Sequence, residues 1–136
     1  MTDSGPEPLV IREEPPLPDD AIVVRGGIML RASVEAAAVT NYRDYGFYGV
    51  STFAIPGLTA SEIWEKSPKI APPNYRRIRV TTAGAVRAAG FELSPTWESD
   101  HFDIVLDNPP DETTWSKLDE LFSPPTNQPD EWEVER

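Results

Sequence analysis

Gly46-Phe47-Tyr48-Gly49-Val50-Ser51-Thr52-Phe53-Ala54-Ile55 is the run around which the rest of this chain is organised. From Val50 to Ile55 only Ser51 and Thr52 are polar, and neither is charged. A short run rich in β-branched and aromatic residues, bounded by Gly46 and by Pro56-Gly57, reads as a central strand buried on both faces. Val50, Phe53 and Ile55 are its expected core residues.

On the N-terminal side, Ala21 to Arg25 predicts a first strand, which Gly26-Gly27 ends with a sharp turn or a close backbone approach. A helix capped by Ser33 follows, with Val34, Ala38, Tyr42 and Tyr45 on one stripe and Gly46 just past its end. On the C-terminal side, Thr59-Ala60-Ser61-Glu62 matches a capping box, so a short helix runs from there to Pro68. Tyr75 to Thr82 alternates as a strand. Ala83 to Ala89 forms a short helix closed by Gly90. Phe91 to Trp97 and His101 to Leu106 predict an antiparallel hairpin, and Asp111 to Phe122 a last helix with Trp115, Leu118 and Phe122 on one stripe. The order is βα, βα, βα, ββ, α. We expect a single α/β or α+β domain over residues 21–122, with helices packed on a mixed sheet of about five strands. The early alternation favours parallel crossovers and the hairpin adds antiparallel pairing.

The ends differ from this body. Residues 1–20 carry Pro6, Pro8, Pro15, Pro16 and Pro18 among six acids and one Arg, and residues 123–136 return to proline and acid. Both are expected to be disordered acidic tails, with Leu9-Val10-Ile11 an apolar exception able to join a sheet edge. The absence of cysteine removes disulfides, thiolate nucleophiles and Cys-based zinc sites. No apolar run is long enough to span a bilayer, and the acidic, proline-rich start is the reverse of a signal peptide. These features suit a cytoplasmic protein away from membranes.

Net charge is −11, but it is uneven. Residues 21–91 sum to +5, and between Lys66 and Arg87 there are six bases and no acid. Arg77, Arg79 and Arg87 are therefore a candidate anion-binding set, with Arg76 on the opposite strand face. The acidic C-terminal residues Asp130, Glu131, Glu133 and Glu135 would compete for it. The alternative reading of the same bases is a solvated surface.

Few residues suggest catalysis. The one histidine, His101, reads as an ordinary strand-end residue. A His-Asp-Ser triad would need Asp103, two positions along the same strand, and Gly-x-Ser-x-Gly is absent. Asp100, His101, Asp103 and Asp107 are the only clustered hard ligands, and with no second His they predict no metal site. Walker and dinucleotide fingerprints are also absent.

Arg25 in Val-Val-Arg-Gly-Gly and the strand Val50-Ser51-Thr52-Phe53 resemble, respectively, the first-strand Arg and the Ser-Thr-Ser strand of the Arg-Ser-Glu class of mono-ADP-ribosyltransferases. In that family the Arg and Ser position NAD, and a later Glu at a strand start supports the transfer. The matching position here is Asp103 in His101-Phe102-Asp103, with Glu98-Ser99-Asp100 second, and Phe53 stands where the family has its third motif residue. The resemblance implies catalytic roles for Arg25, Ser51 and Asp103, and NAD as cofactor. The pattern V-R-G-G, G-x-S-x-F-A and H-F-x-I-V-L also resembles small uncharacterised bacterial proteins.

Three functions follow. An acidic, cysteine-free domain with charged tails fits a binding or regulatory protein, such as an antitoxin or immunity protein that meets a basic protein partner; this reading needs the fewest special residues and no cofactor. The second is an NAD-binding, ADP-ribosyltransferase-like enzyme or a degenerate relative. The third is a phosphate or nucleic-acid binder through residues 76–87.

Overall fold

The computed structural model describes residues 7–131. Five strands form one sheet: β1 (Ile22–Gly26), β2 (Tyr48–Phe53), β3 (Ile78–Thr82), β4 (Glu92–Pro95) and β5 (His101–Leu106). Their order is β3-β1-β2-β5-β4, so the run that opened the sequence analysis is the middle strand. Four α-helices pack on the sheet: α1 (Arg31–Tyr45), α2 (Ala60–Lys66), α3 (Ala83–Ala88) and α4 (Glu112–Leu121). The single α/β domain holds, but every strand pair is antiparallel, so the expected parallel crossovers are absent. The reason lies in α1. β2 meets β1 only through its last residue, Phe53, opposite Val24. Tyr48 therefore starts five residues, or roughly 17 Å, beyond that pair. A helix of 15 residues covers about 22 Å. It carries the chain outward past β1 instead of back across the sheet, and β2 re-enters from the far end.

Alternation along the strands divides the core. Val24, Phe53, Ile78 and Val80 lie under Ala60, Ile63 and Trp64 of α2. On the other face Val50, Ile104 and Leu106 pack with Val34 of α1, Val86 of α3, and Leu118 and Phe122 at α4. Fully burying such a side chain contributes roughly 1.5–3 kcal/mol. Val50 and Phe53 are buried as expected, while Ile55 is half-buried.

The local signals behave unevenly. The capping box at Thr59 and Glu62 forms in both directions, and Gly46 takes the left-handed φ of 87° that ends α1. Ser33 caps nothing: α1 begins two residues earlier, after Leu30, whose side chain offers no capping bond. Of the expected stripe, Val34 and Ala38 are buried, whereas Tyr42 is exposed and stacks on Tyr48 at 4.3 Å.

Residues 1–6 and 132–136, and with them part of the expected disordered tails, lie outside the described residues; within the described ones both ends contact the domain, the N-terminal one at the apolar run Leu9-Val10-Ile11 that was expected to be able to join a sheet edge. Ile11 bridges Thr96 at the β4 edge, and Leu17 is buried with Val23, Ala54 and Phe102. Thr126 bridges Ile78 through two backbone bonds of 2.9 Å, and Asp130 accepts from the Ser61 amide at the start of α2. Proline and acid make these segments poor helix or strand formers. They nonetheless find partners, because the edge strands β3 and β4 present unpaired backbone groups.

Candidate functional site

A cavity of about 630 Å³ opens where β1 and β2 diverge, between α1 and the loop after α2. Arg25, Ser51, His101 and Asp103 line it, with Tyr45, Tyr75 and Trp97 as aromatic walls. Register explains part of this convergence. Ser51 stands opposite Asp103 and Phe53 opposite His101, so all four share one sheet face. Gly49 keeps that face open. A Cβ there would meet Asn41 Nδ2 and the Phe47 ring at 2.9 Å and Asp103 Oδ1 at 3.0 Å.

Arg25 arrives by another route. Its neighbour Val24 pairs with Phe53, so alternation sends the Arg25 side chain off the sheet face opposite Ser51. Because β1 and β2 part beyond that pair, the guanidinium passes into the gap, where Nη1 donates to the Ser51 carbonyl at 2.6 Å. Arg25 Nε is buried with no hydrogen-bond partner. Burial pulls the Arg25 pKa below its ordinary value, and the neighbouring Tyr75 and Asp103 partly offset this. A buried cation with spare donors beside a cavity is poised to take an anionic group from a ligand.

A second set of hydrogen bonds crosses the floor. Ser51 Oγ and His101 Nε2 are 2.6 Å apart, His101 Nδ1 and Thr96 Oγ1 are 3.0 Å apart, and the Thr96 hydroxyl donates to Asp103 Oδ2 at 2.9 Å. Burial lowers the His101 pKa, more than the neighbouring Asp103 and Glu98 raise it. Burial likewise raises that of Asp103, against the pull of His101, Thr96 and Arg25. His101 is thus a buried, neutral imidazole facing a hydroxyl, not an ordinary strand-end residue.

The wall formed by Trp97 depends on the N-terminal segment. Trp97 adopts φ 61°, a left-handed backbone that a bulky residue rarely takes. Its amide donates to the Val10 carbonyl at 2.9 Å. Arg12 Nη1 lies against the carbonyls of Thr96 at 2.7 Å and His101 at 3.0 Å, and also donates to that of Glu98. These bonds hold a conformation costing of order 1–3 kcal/mol, and they set Trp97 edge-on to Tyr45 at 5.3 Å.

A scan against protein-family models, a search of curated proteins and a search of solved structures each return no match for this chain.

The remaining candidates do not gather. Glu98, the second choice for the acidic role, is exposed and pairs with Lys69 at 3.2 Å, and it does not line the cavity. The anion-binding set is broken up. Arg79 is buried, donating to Asp119 Oδ1 and the Ser123 carbonyl at 2.6 Å each, and to the carbonyls of Asp119 and Phe122. Arg87 pairs with Asp19 at 2.8 Å, and Arg77 is exposed ahead of β3. Asp130 caps α2 instead of meeting these arginines, Glu131 enters only as the end of a short 3-10 turn (Pro129–Glu131), and Glu133 and Glu135 lie outside the described residues. Sequence reasoning missed His101 as the partner of Ser51, and Thr96 as the partner of His101 and Asp103. Their spacing along the chain carries no motif: the β2–β5 register brings Ser51 to His101, and the short connection from β4 to β5 brings Thr96 to His101.

Proposed function

We propose that this cavity binds NAD and that the chain is an ADP-ribosyltransferase-like enzyme. The observation that carries the reading is the convergence of Arg25, Ser51 and Asp103 on one cavity from three different strands. These are the three positions at which the sequence resembles the Arg-Ser-Glu class. Size supports it, since a volume of about 630 Å³ lies within the range of roughly 300–1,000 Å³ usual for ligand pockets. So does chemistry. Arg25, with a buried and unpartnered Nε, suits a pyrophosphate, and Trp97, Tyr45 and Tyr75 offer flat surfaces to an aromatic base.

In this reading Arg25 holds the diphosphate and Ser51 orients it. Asp103 faces the positive charge that develops on the nicotinamide ribose as the bond to nicotinamide breaks. The ADP-ribosyl group passes to a nucleophile and nicotinamide leaves. Asp103 is one methylene shorter than the Glu of the family, and its pairing opposite Ser51 supports the same role from the neighbouring strand. The antitoxin- or immunity-like reading rests on net charge alone, whereas the cavity gives the dinucleotide reading named residues.

Calorimetry with NAD at millimolar concentration tests it. Saturable heat is expected for the full chain and none for Arg25→Ala, with nicotinamide release followed chromatographically. Absence of heat from the full chain would end the proposal.

A further inference from the structure

The bonds across the cavity floor fix more than a shape. Thr96 has one hydroxyl hydrogen, and it is donated to Asp103 Oδ2. Toward His101 Nδ1, 3.0 Å away, Thr96 Oγ1 therefore acts as acceptor, which puts the imidazole hydrogen on Nδ1. Nε2 is then left with a free lone pair, 2.6 Å from Ser51 Oγ, and the Ser51 hydroxyl donates to it. A hydroxyl, an imidazole base and a carboxylate that orients it through an intervening hydroxyl is the logic of an activated nucleophile.

We propose that Ser51 is a nucleophile activated by His101, with Thr96 and Asp103 as positioning residues, and that it accepts acyl groups from small esters. This goes beyond the dinucleotide reading and does not depend on it. Ser51 is half-buried and borders the cavity, so an ester can reach it. The Arg25 guanidinium lines the same cavity and is held there by its bond to the Ser51 carbonyl at 2.6 Å, so it supplies positive charge to the cavity in which an oxyanion would form. Gly49 precedes Ser51 by two residues, and the lack of a side chain there leaves Asp103 Oδ1 unobstructed.

The reaction balances without a cofactor. Ser51 Oγ bonds to the ester carbonyl carbon while its proton moves to His101 Nε2. The ester C–O bond breaks, and the departing alkoxide takes that proton and leaves as the alcohol. Water then bonds to the acyl carbon, giving a proton to Nε2. The acid leaves, and Ser51 Oγ recovers the proton.

The probe is a fluorophosphonate, which forms a stable adduct with activated serines and is not a dinucleotide analogue. Mass spectrometry of the labelled full chain is expected to place the adduct on Ser51. The labelling rate should fall about a hundredfold or more in His101→Gln. Thr96→Val should also slow it and Thr96→Ser restore it, a pattern that loss of packing alone would not give. The wild-type rate should drop on acidification, as His101 takes a proton, with a midpoint below its ordinary value of 6.5. Asp103, Glu98, Lys69 and Arg25 face this region, with Arg12 against the His101 carbonyl, so the profile is followed at fixed ionic strength. No adduct on Ser51 in the folded protein, or equal rates in wild type and His101→Gln, overturns the proposal. Should His101→Gln not fold, the wild-type profile decides: a rate unchanged between about pH 5 and about pH 8 overturns it, and a fall on acidification supports it.

Discussion

Replacing Arg79 with Ala separates a structural guanidinium from an anion-binding one. In the folded chain this side chain makes four hydrogen bonds of 2.6 to 3.2 Å, to Ser123 O, Asp119 Oδ1, Asp119 O and Phe122 O. Three of the acceptors are backbone carbonyls in the last turn of α4 and just past it, where the helix end is slightly negative. Asp119 O also accepts from the Phe122 amide, so deleting the guanidinium strands the carbonyls of Phe122 and Ser123. A buried acceptor left unsatisfied costs about 1–3 kcal/mol, and a neighbouring water can rescue part of the set. Losing the buried aliphatic stem adds about 0.8 kcal/mol per methylene. Relief of the buried charge's desolvation works the other way. The balance is a loss of about 3–5 kcal/mol, the range found when one partner of a buried ion pair is removed. For a chain of this size that is a fall in Tm of roughly 10–20 °C. Urea unfolding monitored by tryptophan fluorescence measures it, with exposed Arg77→Ala as the control, expected within about 0.5 kcal/mol of wild type. Asp119→Ala should cost less than Arg79→Ala, since Asp119 is partly exposed and supplies only one side-chain bond. If Arg79→Ala and Arg77→Ala cost the same, the reasoning fails and Arg79 belongs to the surface.

Two further outcomes follow from the packing. Burial holds His101 below its ordinary 6.5, so the unfolded chain takes up that proton first as the pH falls. Its contribution is complete above about pH 6.5 and is lost as the pH drops toward the folded-state value, while Asp103, held above its ordinary value, works in the opposite sense at lower pH. The melting temperature should fall between about pH 7 and about pH 5.5, and fall less in His101→Gln; parallel slopes would count against the buried neutral imidazole. Ending the chain after Phe122 removes five bonds to β3, namely Ser123 N to Val80 O, Val80 N to Ser123 Oγ, Arg79 Nε to Ser123 O, and the reciprocal pair between Ile78 and Thr126. At about 0.5–1.5 kcal/mol each this should lower stability by about 2.5–7.5 kcal/mol in urea, and an unchanged midpoint would mean that the segment is only loosely attached.

The fold was legible where a local cause sufficed. The capping box at Thr59, the αL residue Gly46 and the short β-branched and aromatic run around Val50, bounded by Gly46 and Pro56-Gly57, each specify their structure within a few residues. Pairing direction was not legible, because it depends on how far α1 carries the chain past β1, a length set by packing and invisible in the hydrophobic pattern. The ends were legible in part. Leu9-Val10-Ile11 stood out as an apolar run able to join a sheet edge, and Ile11 does bridge Thr96, but composition reports what a segment does alone and gave no sign of the bridge from Thr126 to Ile78. Alternation correctly set Arg79 apart from Arg76, but it was silent on whether Arg79 faced water or the carbonyls ending α4. At the site, Ser51 and Asp103 were nameable from the chain, Arg25's passage through the gap was not, and Thr96 gave no sign of its position between a histidine and a carboxylate.

Among the described residues, Val24 and Phe53 form the one ladder pair between β1 and β2. Mechanically the sheet is therefore two panels, β3 with β1 and β5 with β2 and β4, joined along a short seam. Twisting one panel against the other sacrifices few hydrogen bonds, and the cavity lies in the opening of that seam. A ligand that touches Arg25 on one panel and His101 on the other would act as a clasp between them. Its binding free energy would then be felt as stiffness across the whole sheet, at residues it never meets.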